Sequence, residues 1–220
     1  MVPRRPIRRV FLETWREHRF AAVAWLIGGA LANFVMVFSL DAELRDFPGG
    51  PEALPRVLGP SIEAFRPLRW PAERLDTLGG YVSYHNVTLI ALFLGVYALV
   101  QGSRLTRTLE ANGLMEVLLA TGLSRGRLLV IRVLSFAALL AAISAGIAGG
   151  TAAALALVGE PNTPGAFLAF LAIWCGALLC VGVGLLLSQF IVGARLCAGV
   201  GTTALIAVYI LGNAAGTFGA

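Results

Sequence analysis

Apolar residues along the chain gather into long unbroken runs. They show neither the narrow stripes of a water-facing helix nor the alternation of a half-buried strand. Five runs stand out, roughly 20–40, 81–101, 128–158, 166–190 and 196–216. Each offers the ~20 mostly apolar residues that a helix rising about 1.5 Å per residue needs to cross a bilayer. The third is long enough to tilt or to begin in the interface. The pattern predicts an all-α polytopic transmembrane helix bundle, one domain over residues 1–220, with no solenoid repeat.

Composition agrees. Of 220 residues, 58% are hydrophobic and 13% charged, with a mean hydropathy of +0.81, too few polar side chains to coat a water-soluble globule. All 17 basic residues are arginine. A chain without lysine has no P-loop, because that motif places a lysine ammonium on the nucleotide phosphates. Any ATP used with this chain is therefore bound by another subunit.

Arginine placement orients the spans. The stretch 1–19 carries Arg4, Arg5, Arg8, Arg9, Arg16 and Arg19, and the 102–127 connector carries Arg104, Arg107, Arg125 and Arg127. Both are expected in the cytoplasm, as is Arg195. The base-free turn 159–165 and the near-neutral 41–79 loop are expected on the extracytoplasmic side. Arg8-Arg9-Val10-Phe11-Leu12 also has the look of an export signal, but Trp15-Arg16-Glu17-His18-Arg19 interrupts the approach to the apolar run. The reading adopted is a basic amphipathic helix on the inner surface, with Val10, Phe11 and Trp15 towards lipid and Arg8, Arg9 and Arg16 towards headgroups.

Residues 110–121 are neither oily enough to span nor polar enough for an idle loop. Wound as a helix, they gather Leu114, Val117, Leu118 and Thr121 on one side with Met115 and Leu119 beside them, and Asn112, Gly113, Glu116 and Ala120 opposite. Such a helix lies flat. Gly122 is expected to end it and Ser124 to cap the next helix, which enters the membrane behind Arg125, Arg127 and Arg132. Taken alone, the segment reads first as an interfacial anchor with a stop of positive charge.

The run Gln101–Leu134, QGSRLTRTLEANGLMEVLLATGLSRGRLLVIRVL, resembles the region after the second span in ATP-binding-cassette permeases of the type-2 exporter class. The matching features are Glu110, Glu116, Leu118, Leu119, Ser124, Arg125 and Arg127; the family's usual proline before Ser-Arg is replaced by Gly122-Leu123. The segments LGGYVSYHNVTLIALFLGVYALVQGSRL and LLLSQFIVGARLCAGVGTTALIAVYILGNAAG are similar to the actinobacterial polyketide-antibiotic exporter group. This resemblance implies that 110–121 is a coupling helix docking on a partner ATPase through Glu110, Leu114, Glu116, Leu118, Leu119, Ser124, Arg125 and Arg127. It further implies that Arg8, Arg9, Phe11, Trp15 and Arg16 form an elbow helix, that a second permease half or a second copy completes the path, and that a sixth span would complete the unit. The expected home is a bacterial cell membrane. ATP and magnesium would sit on the partner, with no cofactor, metal or catalytic residue here.

The remaining chemistry is sparse. Asn33, His85, Asn86, Thr88, Ser144, Ser188, Gln189 and Asn213 are the polar residues of the spans, expected to serve as interhelical hydrogen-bonding glue. Small residues spaced by four, Gly28/Ala32, Ala145/Gly149 and Gly176/Cys180/Gly184, mark faces for close approach. Cys175, Cys180 and Cys197 read as packing residues. Ser188 has no base within helical reach, so a membrane protease is not expected. The arginines follow the inside rule and form no groove with aromatics, so nucleic acid is not an expected partner. Two other readings stay open: a non-transporting scaffold that recruits a cytoplasmic partner, and a passive channel.

Overall fold

The structure, a computed structural model, describes residues 4–48, 53, 77–83, 87–111, 113–120, 124–160, 163–191 and 193–218. Among these it is almost wholly helical, with no strand. The elements are α1 (Arg4–Val23), a π-helical segment Ala24–Gly28, α2 (Gly29–Asp46), α3 (Leu78–Val82), α4 (Thr88–Ala111), α5 (Leu114–Ala120), α6 (Arg125–Leu157), α7 (Thr163–Phe190) and α8 (Ala194–Phe218). Five helical stretches are long and apolar enough to cross a bilayer: Val10–Asp46, Leu89–Glu110, Arg125–Leu157, Pro164–Phe190 and Ala194–Gly212. This is the build of a multi-pass membrane protein, in which helices satisfy their own backbone groups where no water can.

The first span's helix runs on to Asp46 and the third begins at Arg125, and two further boundaries differ from the expectation for reasons visible in the residues. The helix does not break between the arginine-rich stretch and the first span, because Phe20-Ala21-Ala22-Val23-Ala24 contains no glycine or proline to stop it. α1 instead runs through the π-helical segment Ala24–Gly28 into α2, the regular helix resuming at Gly29. The second span's helix continues past residue 101 to Ala111, since Leu105 and Leu109 stay buried along one side while Arg104 and Thr108 are exposed. Residues 84–86, with His85 and Asn86, most of the 41–79 loop, and Thr121, Gly122 and the side chain of Asn213 lie outside the described residues.

Packing is organised as two parallel pairs. α1 and α2 run alongside α6: Val10 packs with Leu128, the His18 ring meets Phe136 at an inclination of 56°, and Thr151 Oγ1 donates to Asn33 Oδ1 at 3.3 Å. At the far end, Arg45 Nη2 donates to the Val158 carbonyl at 3.4 Å. α4 runs alongside α7, with Gly102 against Val181 and Gly184 against Leu99 and Ser103. The pairs are joined where Trp174 Nε1 donates to the Ala137 carbonyl at 3.1 Å, and around the fully buried Phe136, which also meets Tyr97. α8 lies on α4 and α7. Leu94, Leu99, Leu139, Ile143 and Ile173 fill the middle, and Val37, Leu40, Leu78 and Leu155 fill one end. The opposite end gathers the exposed Arg16, Arg19, Arg104, Arg125, Arg127 and Arg195.

Of the small-residue stripes, the structure uses Gly176/Cys180/Gly184 in part, at Gly184, and shifts another by a residue. Gly184 touches the α4 backbone so closely that an added Cβ would overlap the Leu99 carbonyl. On α6 the contacting pair is Gly146 and Gly150, not Ala145 and Gly149: a Cβ on Gly150 would lie 2.6 Å from the Ala30 carbonyl oxygen, while Gly149 has nothing within 4 Å. Gly28 likewise faces open space. Asn33 meets its expectation as interhelical glue through Thr151. Cys180 and Cys197 are buried as packing residues, whereas Cys175 is exposed.

These contacts predict a sharp positional contrast. Gly184→Val and Gly150→Val should each lose about 1–3 kcal/mol or more by forcing packed backbones apart, read as a lower unfolding temperature or loss of monodisperse protein in detergent. Gly149→Ala should leave the unfolding temperature unchanged or raise it.

Candidate functional site at the arginine-rich end

The segment expected to be a single coupling helix is split. Glu110 and Ala111 belong to the end of α4; the chain then turns at Gly113, whose φ of 66° is one that glycine adopts without a Cβ penalty, and α5 begins at Leu114. Gly113 N donates to the Glu110 carbonyl at 3.1 Å, which closes the turn. Of the expected polar face, Gly113, Glu116 and Ala120 are exposed and Asn112 lies outside the described residues, while Met115 and Leu119 are half-buried. Met115 packs against Val10, Leu109 and Leu128, so α5 is braced where the ends of α1, α4 and α6 meet. The side chains of Leu114, Val117 and Leu118, which form the rest of the expected apolar face with Thr121, lie outside the described residues.

Ser124 caps α6 as expected. Its backbone is extended, with φ −72° and ψ 151°, and its hydroxyl accepts from Arg127 N at 3.3 Å. Arg125 and Arg127 then project from the first turn into the surroundings, both exposed.

Glu110 has a partner within the chain. Arg107, one turn back on α4, donates from Nη1 to Glu110 Oε2 at 3.1 Å and from Nε to the Ser188 carbonyl at 2.9 Å; Nη2 also bonds that carbonyl. Ser188 lies in the last turn of α7, where carbonyls lack helical partners and a cation is favoured by the helix dipole. Arg107 therefore fastens the lower end of α7 to α4 and holds Glu110 beside it. Ser188's hydroxyl turns back to the Leu185 carbonyl at 2.6 Å.

The strongest charge feature is one that sequence reasoning missed. Arg132, on the second turn of α6, is buried, its side chain 6% exposed, and it bonds Glu17 of α1, itself 47% exposed, through Nη2. Arg132 Nε and Nη1 have no hydrogen-bond partner among the described residues. Arg132 stands about 10 Å along the helix from Arg125. If a hydrocarbon layer of about 30 Å is centred on α6, it falls near the edge of that layer. There α1 shields it from lipid and supplies the countercharge. The spacing of Arg125, Arg127 and Arg132 suggests a solvated basic run; what separates Arg132 from the other two is the Glu17 that a parallel α1 brings to it.

The same packing redirects the elbow residues. Val10 and Trp15, expected to face lipid, face the bundle: Val10 is buried against Leu109 and Leu128, and Trp15 is half-buried against the central core with its Nε1 buried. They turn inward because α1 lies along α6 and so offers one side to protein. Phe11 remains exposed, its ring stacked on Trp15 at a centroid distance of 6.4 Å, and Arg16 is exposed. Arg8 and Arg9 are helical in backbone; their side chains lie outside the described residues. Among the described residues, no three His, Cys, Asp or Glu side chains gather as metal ligands.

Compared with protein-family models, curated proteins and solved structures, the chain matches none.

The ion pair predicts an asymmetric mutational response. Glu17→Ala leaves Arg132 buried without a countercharge and should destabilise by about 2–4 kcal/mol, near the lower part of the range for a broken buried pair because Glu17 is partly exposed. The double change Glu17→Leu with Arg132→Met should recover most of that loss. Thermal unfolding in one detergent of the parent, Glu17→Ala, the singles Glu17→Leu and Arg132→Met and the double variant measures both, and additive losses in the double variant would count against a paired role.

Proposed function

We propose that the chain is the permease subunit of an ATP-driven exporter in a bacterial cell membrane, moving a hydrophobic or amphipathic compound outward. In this reading α5 is the contact point for a separate nucleotide-binding subunit, and the arginine-rich end lies in the cytoplasm. The observation that carries it is α5 itself, a short helix that exposes Glu116 and Ala120, with Gly113 exposed at the turn before it, and whose half-buried Met115 packs on the cluster formed by Val10 of α1, Leu109 of α4 and Leu128 of α6. A partner gripping the exposed face would push directly on the ends of α1, α4 and α6, and, through Arg107, on the end of α7. The sequence resemblance around Glu110, Glu116, Ser124, Arg125 and Arg127 supports the same reading. Glu116 is the exposed acid offered for an ATPase contact, with Arg125 and Arg127 exposed at the start of the next helix, while Glu110 serves mainly to hold Arg107.

A second permease half or a second copy completes the path in this account. A passive channel is less well supported, because Asn33, Thr151 and Ser188 spend their hydrogen bonds inside the bundle and apolar side chains fill the space between α4, α6 and α7. Orientation is checked by single-cysteine labelling in a background without Cys175, Cys180 and Cys197. Glu116→Cys should react only from the cytoplasmic side, and Glu160→Cys, at the opposite end, only from outside.

The coupling role is tested by placing a photocrosslinking residue at position 116 in membranes of the source cells. A nucleotide-hydrolysing protein should be captured there and not from position 149, and Glu116→Arg should lower the turnover of the co-purified ATPase about tenfold. Capture of a partner without ATPase activity would support the scaffold instead; capture of lipid alone would remove the coupling assignment.

A further inference from the structure

A partly open cleft of about 650 Å³ lies between α4, α7 and α8, apart from the arginine-rich end. It exists because small residues stand where the three helices converge. Ala91 and Gly95 come from α4, Gly176 from α7 and Gly212 from α8, and Ile173 and Leu205 supply apolar wall. Gly176 belongs to the stripe Gly176/Cys180/Gly184, and the stripe divides its labour: Gly184 is pressed against α4, whereas an added Cβ on Gly176 would meet nothing within 4 Å. No side chain lining the cleft is charged. Its size falls within the roughly 300–1,000 Å³ of small-molecule sites, which are mostly apolar with a few polar groups.

Tyr209 lines the same cleft, and its hydroxyl is buried with no hydrogen-bond partner among the described residues. At membrane depth no water is at hand to relieve such a group, and an occupant bearing an oxygen would. A phospholipid tail brings no polar atom to this depth, and its phosphate would find no cation on the lining. We infer that the cleft is a binding site for an uncharged hydrophobic molecule that carries a hydrogen-bonding oxygen. Its role as a cargo site rests on the export reading; its existence as a site rests on the cleft alone.

The test uses the full chain in lipid nanodiscs with no nucleotide or partner ATPase, so its outcome is independent of the coupling experiment. Nile red, an uncharged dye with a ring carbonyl, is the probe, and rhodamine 6G is its cationic contrast. Nile red should show a saturable component absent from empty discs, and rhodamine 6G should show none. Gly176→Leu starts from a Cβ that meets nothing within 4 Å and should weaken Nile red binding at least tenfold; Gly212→Leu, whose Cβ also meets nothing within 4 Å, serves the same purpose if the first variant folds poorly. Tyr209→Phe should weaken binding about two- to tenfold, the range for one hydrogen bond. The inference is overturned if Nile red merely partitions, if both filled variants bind as the parent does, or if rhodamine 6G binds the tighter of the two. It is overturned equally if delipidation leaves phospholipid on the parent but not on the filled variants, since that outcome assigns the cleft to bilayer lipid.

Discussion

At Gly184 and Gly150 two pairs of parallel helices come together until backbone meets backbone, and the other contacts follow from that approach. Lipid tails are as apolar as leucine, so burial against a neighbouring helix gains little over burial in lipid, and close van der Waals contact has to hold the pairs together. Glycine permits the contact because it has no Cβ to keep the chains apart. Once α4 and α7 are fixed at Gly184, Arg107 stands within reach of the Ser188 carbonyl. Once α2 and α6 meet at Ala30 and Gly150, the helix continuing below them brings Glu17 to Arg132.

The two arginines then do different work at the same end of the bundle. Arg107 neutralises the exposed carbonyl end of α7 and keeps a partial link to water, its charge shared with Glu110. Arg132 is enclosed, and its charge is tolerated because α1 supplies Glu17 from the side. Between them sits α5, tied by Met115 to Val10, Leu109 and Leu128. In the proposed exporter, a displacement of α5 has two routes into the spans: apolar contact with α1, α4 and α6, and a charged fastening to α7. The cleft that Gly176 opens lies on the far course of α4 and α7, the helices joined by that fastening.

Much of this was legible in the residues. The five apolar runs mark the spans, Ser124 marks the start of α6, and the polar face of Gly113, Glu116 and Ala120 is where helical periodicity puts it. The split before α5 had a signal as well, since Asn112-Gly113 is a turn dipeptide. A winding that began at Glu110 carried the helix across it. The α6 stripe slipped by one residue because AGIAGG offers small residues at several four-residue spacings, and each lies on a different face. In sequence Arg132 is indistinguishable from Arg125 and Arg127, because nothing in their spacing separates a buried cation from a solvated one.

The sequence by itself determined that the chain forms apolar helices of bilayer length and that its arginines gather between alternate spans. A membrane acts on each segment separately, so hydropathy and charge counted along one segment are sufficient. Only the tertiary structure decided which glycines touch, which arginine is enclosed, and where small residues leave a cleft instead of a contact. Those outcomes depend on how each helix is rotated about its axis and on what its neighbour presents there. One residue's shift turns a helical face by about 100°, a difference that apolar composition on every side leaves unmarked.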